Sequence, residues 1–244
     1  MKTVGLIGCG AIGTVLAEAI ERKLVVCDEL ILFDFDMPKA EQMKKSLNFP
    51  TTIVSSFDEM LKRKPNVIVE AASQQAAKDY VPRIVAEGIE LIVMSTGALL
   101  DLNVDPSKVH VPAGAIGGLD AIASAALTGD IEVTLTTRKN PKALETQDKQ
   151  PKIIYEGYAE EAARQFPREM NVAATLALTV KPSRVKVTVI ADPNMKRNTH
   201  EIAVKWKFGE MLLRFANDPH PDNPRTSALA AWSAIKLLQT LLQQ

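Results

Sequence analysis

The sequence predicts an α/β protein: an N-terminal doubly wound parallel sheet, then an α+β domain on a mixed or antiparallel sheet. Three observations carry this. Up to His110, short apolar runs alternate with helical stripes, the pattern of strand–helix–strand units. Beyond Pro112 the apolar period drops to two, as in strands with one buried and one wet face. Between the first run and the first stripe lies a glycine-rich turn, Gly8 to Gly13.

The elements follow in order. Thr3 to Ile7 has the length and apolarity of a buried strand. Ile12, Val15, Leu16, Ala19 and Ile20 then recur at i, i+3, i+4, i+7 and i+8, one helical stripe. Leu30 to Phe33 is a second strand. Asp36 is placed to cap the next helix, with Pro38 in its first turn. Ser56 and Glu59 have capping-box spacing before a short helix through Met60 and Leu61. Val67 to Val69 and Leu91 to Met94 are further strands, with a helix around Ala76 to Ala86 between them. In the second half, Ile131, Val133 and Leu135 alternate with polar residues. So do Val185, Val187 and Val189, and Ile202, Val204 and Trp206. Phe208 and Gly209 offer a turn into a return arm through Met211, Leu213 and Phe215. Helices are expected near Ala159 to Gln165 and Asn171 to Thr179, and an exposed loop from Lys139 to Pro151. Asn223 is placed to cap, and Pro224 to open, a final helix from Arg225 to Leu242.

Bulk properties exclude several classes. The 244 residues carry zero formal net charge, against a nucleic-acid binder or a polybasic membrane-surface protein. No run approaches the ~20 apolar residues of a membrane helix. The apolar start is broken by Gly8 and Gly10, unlike a signal peptide. Two cysteines, Cys9 and Cys27, make neither a disulfide framework nor a metal-ligand pattern, so no metal is expected and a cytoplasmic location is the default.

Gly8-Cys9-Gly10-Ala11-Ile12-Gly13 is a GxGxxG motif in its required context, after a strand and opening a helix. Gly8 permits the tight turn, Gly10 lets a pyrophosphate reach the backbone, and Gly13 lets helix and strand pack closely. The free N–H groups that Ala11 and Ile12 bring to the helix start favour phosphate. Asp34, ending the second strand, can accept hydrogen bonds from ribose hydroxyls. NAD is the expected cofactor. NADP is possible, because Lys39 is near enough in sequence to help. Ala71, Ala72, Ser73 and Gln74 follow the predicted strand Val67 to Val69, where ligands of open parallel sheets sit; Ser73 equally suits a helix cap. Cys9 reads as a spacer within the motif rather than a redox thiol.

Several segments resemble the L-aspartate dehydrogenase family. They are Pro112-Ala113-Gly114-Ala115-Ile116-Gly117-Gly118-Leu119-Asp120-Ala121, Thr136-Thr137-Arg138-Lys139, and Phe166-Pro167 with Asn171-Val172-Ala173-Ala174. Asn198-Thr199-His200-Glu201-Ile202 and Asn223-Pro224-Arg225-Thr226-Ser227 complete the set. With the glycine motif they span nearly the whole chain. The resemblance implies a Rossmann domain (residues 1–112, with a returning C-terminal helix in 218–244) and a substrate and dimerisation domain (113–217). It implies oxidation of L-aspartate to iminoaspartate with hydride transfer to NAD or NADP. Iminoaspartate then gives oxaloacetate and ammonia, or feeds NAD biosynthesis. It also implies a homodimer, His200 as the catalytic histidine, Asn171 on the nicotinamide side, and Ala121 and Ala123 near the same site. Glu169 departs from the family pattern, which has asparagine there.

Among three histidines, His200 is the catalytic candidate. It begins a strand whose face carries Ile202 and Val204, where a buried face can open into a cleft. Its ordinary pKa suits it to take the amine proton or, when charged, to bind a carboxylate. His110 reads as structural and His220 as solvent-facing. A substrate with two carboxylates needs cations or N–H groups. Arg138, Lys139, Asn198, and Thr226 and Ser227 at the start of the last helix are the candidates. Two other readings stand beside this one: a two-domain reductase of the dihydrodipicolinate or homoserine dehydrogenase kind, and a non-catalytic NAD-sensing regulator.

Overall fold

The computed structural model describes residues 1–167, 169–221 and 223–243, with backbone alone at 224 and 225. It forms two compact units, Met1–Pro112 with Ala231–Gln244, and Ala113–Ala230.

The first unit alternates strands and helices: β1 (Thr3–Ile7), α1 (Ala11–Glu21), β2 (Glu29–Phe33), α2 (Met37–Ser46), β3 (Thr51–Ile53), α3 (Phe57–Lys62), β4 (Val67–Glu70), α4 (Gln74–Ala86), β5 (Glu90–Val93) and β6 (Val109–His110). The strands make one parallel six-stranded sheet in the order β3-β2-β1-β4-β5-β6. This is the dinucleotide-binding order, and the chain reverses direction across the sheet between β1 and β4. The central strands are buried along their whole length because helices cover both faces. On α1, Leu16, Ala17, Ala19 and Ile20 are buried, while Ile12 and Val15 of the expected stripe are only half-buried. At Ser56 the capping box is half made. Ser56 accepts from the Glu59 N–H, but the Glu59 carboxylate turns to Ser55. His110 is structural: its Nε2 lies 2.6 Å from Glu90 on the neighbouring strand. The far end of the last helix belongs to this unit, with Lys2 Nζ donating to the Leu242 carbonyl.

The second unit holds α5 (Leu119–Ala126), β7 (Glu132–Lys139), β8 (Lys152–Tyr158), α6 (Ala159–Gln165), α7 (Asn171–Thr179), β9 (Val185–Ala191), β10 (Asn198–Trp206), β11 (Gly209–Asn217), β12 (Pro219–His220) and β13 (Asn223–Ser227). α8 (Ala228–Gln243) follows. The main sheet is mixed, in the order β11-β10-β7-β9-β8, with only β7 and β9 parallel. Val133, Leu135, Val187, Ile202 and Val204 form its inner face. Small residues on α7, Ala173, Ala174 and Ala177, are buried over that side and permit close packing. Among the described residues no helix is long and apolar enough to cross a membrane.

Four expectations are corrected. Residues 223–227 form β13 rather than a helix start, because they pair with β12; α8 begins at Ala228, so Thr226 and Ser227 lie before its first turn. Residues 218–230 group with the second unit, since β13 packs near the 3-10 turn Pro141–Leu144 and Ser227 reaches Asn198. His220 is buried within that hairpin rather than facing solvent. Lys139 is a buried strand residue, because β9 extends far enough to pair with it. The edge strands β3 and β8 carry no apolar alternation, which is why the pattern does not show them.

Candidate active site

In the first unit the carboxyl ends of β1, β2 and β4 frame a cleft of about 270 Å³, lined by Gly8, Gly10, Asp34, Ala71, Ala72 and Ser73 among others. Gly8 has φ +100°, and a Cβ there would stand 2.7 Å from the Ala71 carbonyl oxygen. At Gly13 a Cβ would overlap the Gly8 carbonyl. Gly10 has nothing within 4 Å of the Cβ position, so its backbone is open to a ligand. Ala11, Ile12 and Gly13 open α1, where backbone N–H groups lack partners inside the helix. This cradle fits a pyrophosphate.

Asp34 is held in place at both oxygens. Cys9 N–H donates to Oδ2 at 2.6 Å and Asp36 N–H to Oδ1 at 2.8 Å. Each oxygen keeps a lone pair for a ribose hydroxyl. Burial, then the nearby Asp34 charge, push the Cys9 thiol up to about 12, so it is an inert spacer. Ser73 caps α4, accepting from Ala76 N–H at 3.1 Å. The Gln74 amide packs on Gly97, where any Cβ would collide with it.

Glu70 was not singled out by sequence. It ends β4 fully buried and accepts from Ala72 N–H and Ser73 N–H through Oε1, from Ser95 N–H through Oε2, and from the Ser95 hydroxyl. Burial pushes its carboxyl up while these donors pull it down. One side chain thus ties together the loops after β4 and β5. The available signal was a charge closing an apolar run.

In the second unit the inner sheet face turns polar at one end. His200 stands directly opposite Thr137, and Thr137 Oγ1 lies 3.0 Å from His200 Nδ1. The next inward residue on β7 is Lys139, 3% exposed. Asn198 is the matching residue on β10, and its Nδ2 lies 3.5 Å from Ser227 Oγ. The structure therefore groups His200, Asn198 and Ser227, and adds Thr137 and Lys139. Arg138 points to the opposite face, as strand alternation requires, and so lies apart from His200. Thr226 is engaged by Asn223, 3.3 Å away within the hairpin. Asn171 opens α7, and Ala121 and Ala123 lie on α5, all in the second unit. The Asn217 amide donates to the Ala115 carbonyl at 2.8 Å, pinning the glycine-rich segment beside the sheet. There a Cβ on Gly118 (φ +71°) would run into Leu213.

The expected opening at His200 is not seen: the side chain is 2% exposed. Burial, then the Lys139 charge, lower its pKa to about 3. The imidazole of the ligand-free chain is therefore neutral at physiological pH, with a ring-nitrogen lone pair able to accept a proton. Among the described residues no cluster of three or more His, Cys, Asp or Glu is placed to hold a metal.

A family model described as aspartate dehydrogenase, C-terminal, matches residues 120–241. An L-aspartate dehydrogenase of Archaeoglobus fulgidus is 43% identical to this chain, over 98% of this chain and 97% of its own. The chain belongs to the L-aspartate dehydrogenase family. An L-aspartate dehydrogenase of Methanosarcina barkeri is 36% identical, over 99% of this chain and 97% of its own. The crystal structure of aspartate dehydrogenase from Thermotoga maritima matches with a TM-score of 0.76 at 29% identity, over 99% of this chain and 97% of that one. A model described as homoserine dehydrogenase, NAD binding domain, matches residues 8–107. A myo-inositol dehydrogenase of Corynebacterium glutamicum, at 14% identity and a TM-score of 0.58, is similar in fold alone. As a member of the L-aspartate dehydrogenase family the chain is an oxidoreductase that uses NAD(P).

Proposed function

We propose that this protein oxidises L-aspartate to iminoaspartate, which hydrolyses to oxaloacetate and ammonia. The observation that carries this reading is the neutral, buried His200 paired with Thr137 beside Lys139, within the segment that matches the aspartate dehydrogenase model. When bound, the dinucleotide would supply the hydride acceptor for Cα. Gly8, Gly10, Ala11, Ile12 and Gly13 hold its pyrophosphate, and Asp34 its ribose. Ala71, Ala72, Ser73 and Gln74 would line its nicotinamide side. Asn198 and Ser227 position the substrate.

Amine oxidation requires loss of an ammonium proton before hydride leaves Cα. With Nδ1–H donating to Thr137 Oγ1, the lone pair of His200 Nε2 receives that proton. A substrate bearing two carboxylates favours the imidazolium, raising a pKa that burial otherwise depresses. Arg138 and Thr226 have no part in this scheme. We further propose a homodimer in the cytoplasm, supplying iminoaspartate to NAD biosynthesis.

The test is reduction of NAD by purified protein with L-aspartate, with homoserine plus NAD and dihydrodipicolinate plus NADH as controls. His200→Ala should lower kcat/KM by about 10²–10⁴-fold and leave dinucleotide affinity nearly unchanged. Turnover of homoserine but not L-aspartate, or full activity in the variant, refutes the reading.

A further inference from the structure

Phe35 follows Asp34 just beyond the carboxyl end of β2 and lines the same cleft as Gly8, Gly10 and Asp34. Its side chain is 99% exposed, more than any other large apolar side chain among the described residues. A lone apolar residue on a surface needs no explanation by itself. This one is a flat ring, unused in packing, on the wall of a cavity that already offers a pyrophosphate cradle. Further along α4 from Ser73, Ala76 and Tyr80 line the cleft too, four residues apart and so on one helix face. Tyr80 is held firmly: its ring stacks on Phe57 with centroids 4.2 Å apart and meets Phe33 edge-on at 5.8 Å. Ala76, with only a methyl group, leaves room beside it. Lys39, also on the cleft, is paired with Asp36 at 3.3 Å, so aromatic surface rather than free charge is what this end presents.

The covalent structure of the ligand sets the order of its parts. In a nucleotide the base is joined to the ribose carbon next to the 2′-hydroxyl. A ribose whose hydroxyls sit on Asp34, itself fixed by the Cys9 and Asp36 N–H groups, therefore brings its base within reach of the adjoining residue. Adenine is neutral and flat, and a π face is what a phenyl ring receives best.

We propose that Phe35 is the adenine platform of the cofactor cleft: its ring stacks on the base of the bound dinucleotide, and Ala76 and Tyr80 complete that subsite. This rests on the seating of the ribose at Asp34 given above. The phenyl ring is bare in the ligand-free chain because its partner is the cofactor.

Since Phe35 is not used in packing, replacing it tests binding without disturbing the fold. Calorimetry on the full chain uses two probes, NAD and ADP-ribose; the second keeps the adenine and both phosphates but lacks nicotinamide. Phe35→Ser should weaken both by the same factor, about 10-fold, with the thermal midpoint of the ligand-free protein unchanged. Phe35→Trp, which keeps a flat aromatic face, should bind both probes at least as tightly as wild type. Unchanged NAD affinity in Phe35→Ser overturns the proposal. So does a loss for NAD that ADP-ribose does not share, which would put the ring at the nicotinamide, and so does a tryptophan variant as weak as the serine one. Wild type that binds neither probe refutes the dinucleotide reading of the cleft, and the platform with it. Wild type that binds both but does not oxidise L-aspartate, with the serine variant weakened for both, supports the platform and refutes the proposed activity instead.

Discussion

The two units place their chemistry in different ways. In the first, the candidate cofactor cleft is made by backbone: glycines, helix N–H groups and loops just beyond the strand ends. In the second, the candidate substrate cluster sits on the strands themselves, as buried polar side chains that interrupt an apolar face. The difference matters for tolerance. A backbone cradle depends on what is absent, so adding one methyl group breaks it. A buried polar cluster depends on mutual electrostatics, so its failures show in charge, affinity and pH.

The largest expected effect follows from the first half of that contrast. Gly13→Ala forces its Cβ into the Gly8 carbonyl, a backbone atom that cannot yield cheaply. The variant should lose roughly 3 kcal/mol or more of stability together with dinucleotide affinity, measured by denaturant unfolding and titration. A variant as stable as wild type would mean the cradle is not defined by close packing.

Glu70 blurs the contrast, being a buried side chain that shapes a backbone site. In Glu70→Gln, one terminal atom becomes an NH2 facing N–H donors, whichever way the amide is turned. Stability should fall by about 1–3 kcal/mol, and dinucleotide binding should weaken with it. Weakened binding without loss of stability would point to direct contact with the cofactor.

The smallest effect is in pH. His200 titrates at about 3 when folded against 6.5 ordinarily. Between those values the unfolded chain holds the extra proton, so stability rises with pH through this window and is lost as pH falls. His200→Asn should flatten the slope of unfolding free energy between pH 4.5 and 6.5, by at most about 1.4 kcal/mol per pH unit. An unchanged slope would mean that the imidazole is not held neutral by burial.

The parallel sheet, and the glycine turn and Asp34 at the ends of its strands, were legible in sequence because each rests on local rules: apolar runs, helix periodicity and a motif of fixed spacing. The alternating strands β7, β9 and β10 were legible for the same reason, as were α6 and α7. Asn198, His200 and Ser227 were named as candidates, but not their meeting, since β13 replaces the expected helix start. What only the tertiary structure decided is which long polar side chains go inside. Arg138 and Lys139 are neighbours of like charge at a strand end, and nothing local separates them. Pairing of β7 between β9 and β10 turns one outward and buries the other beside His200, and the loss of water there sets the protonation of both.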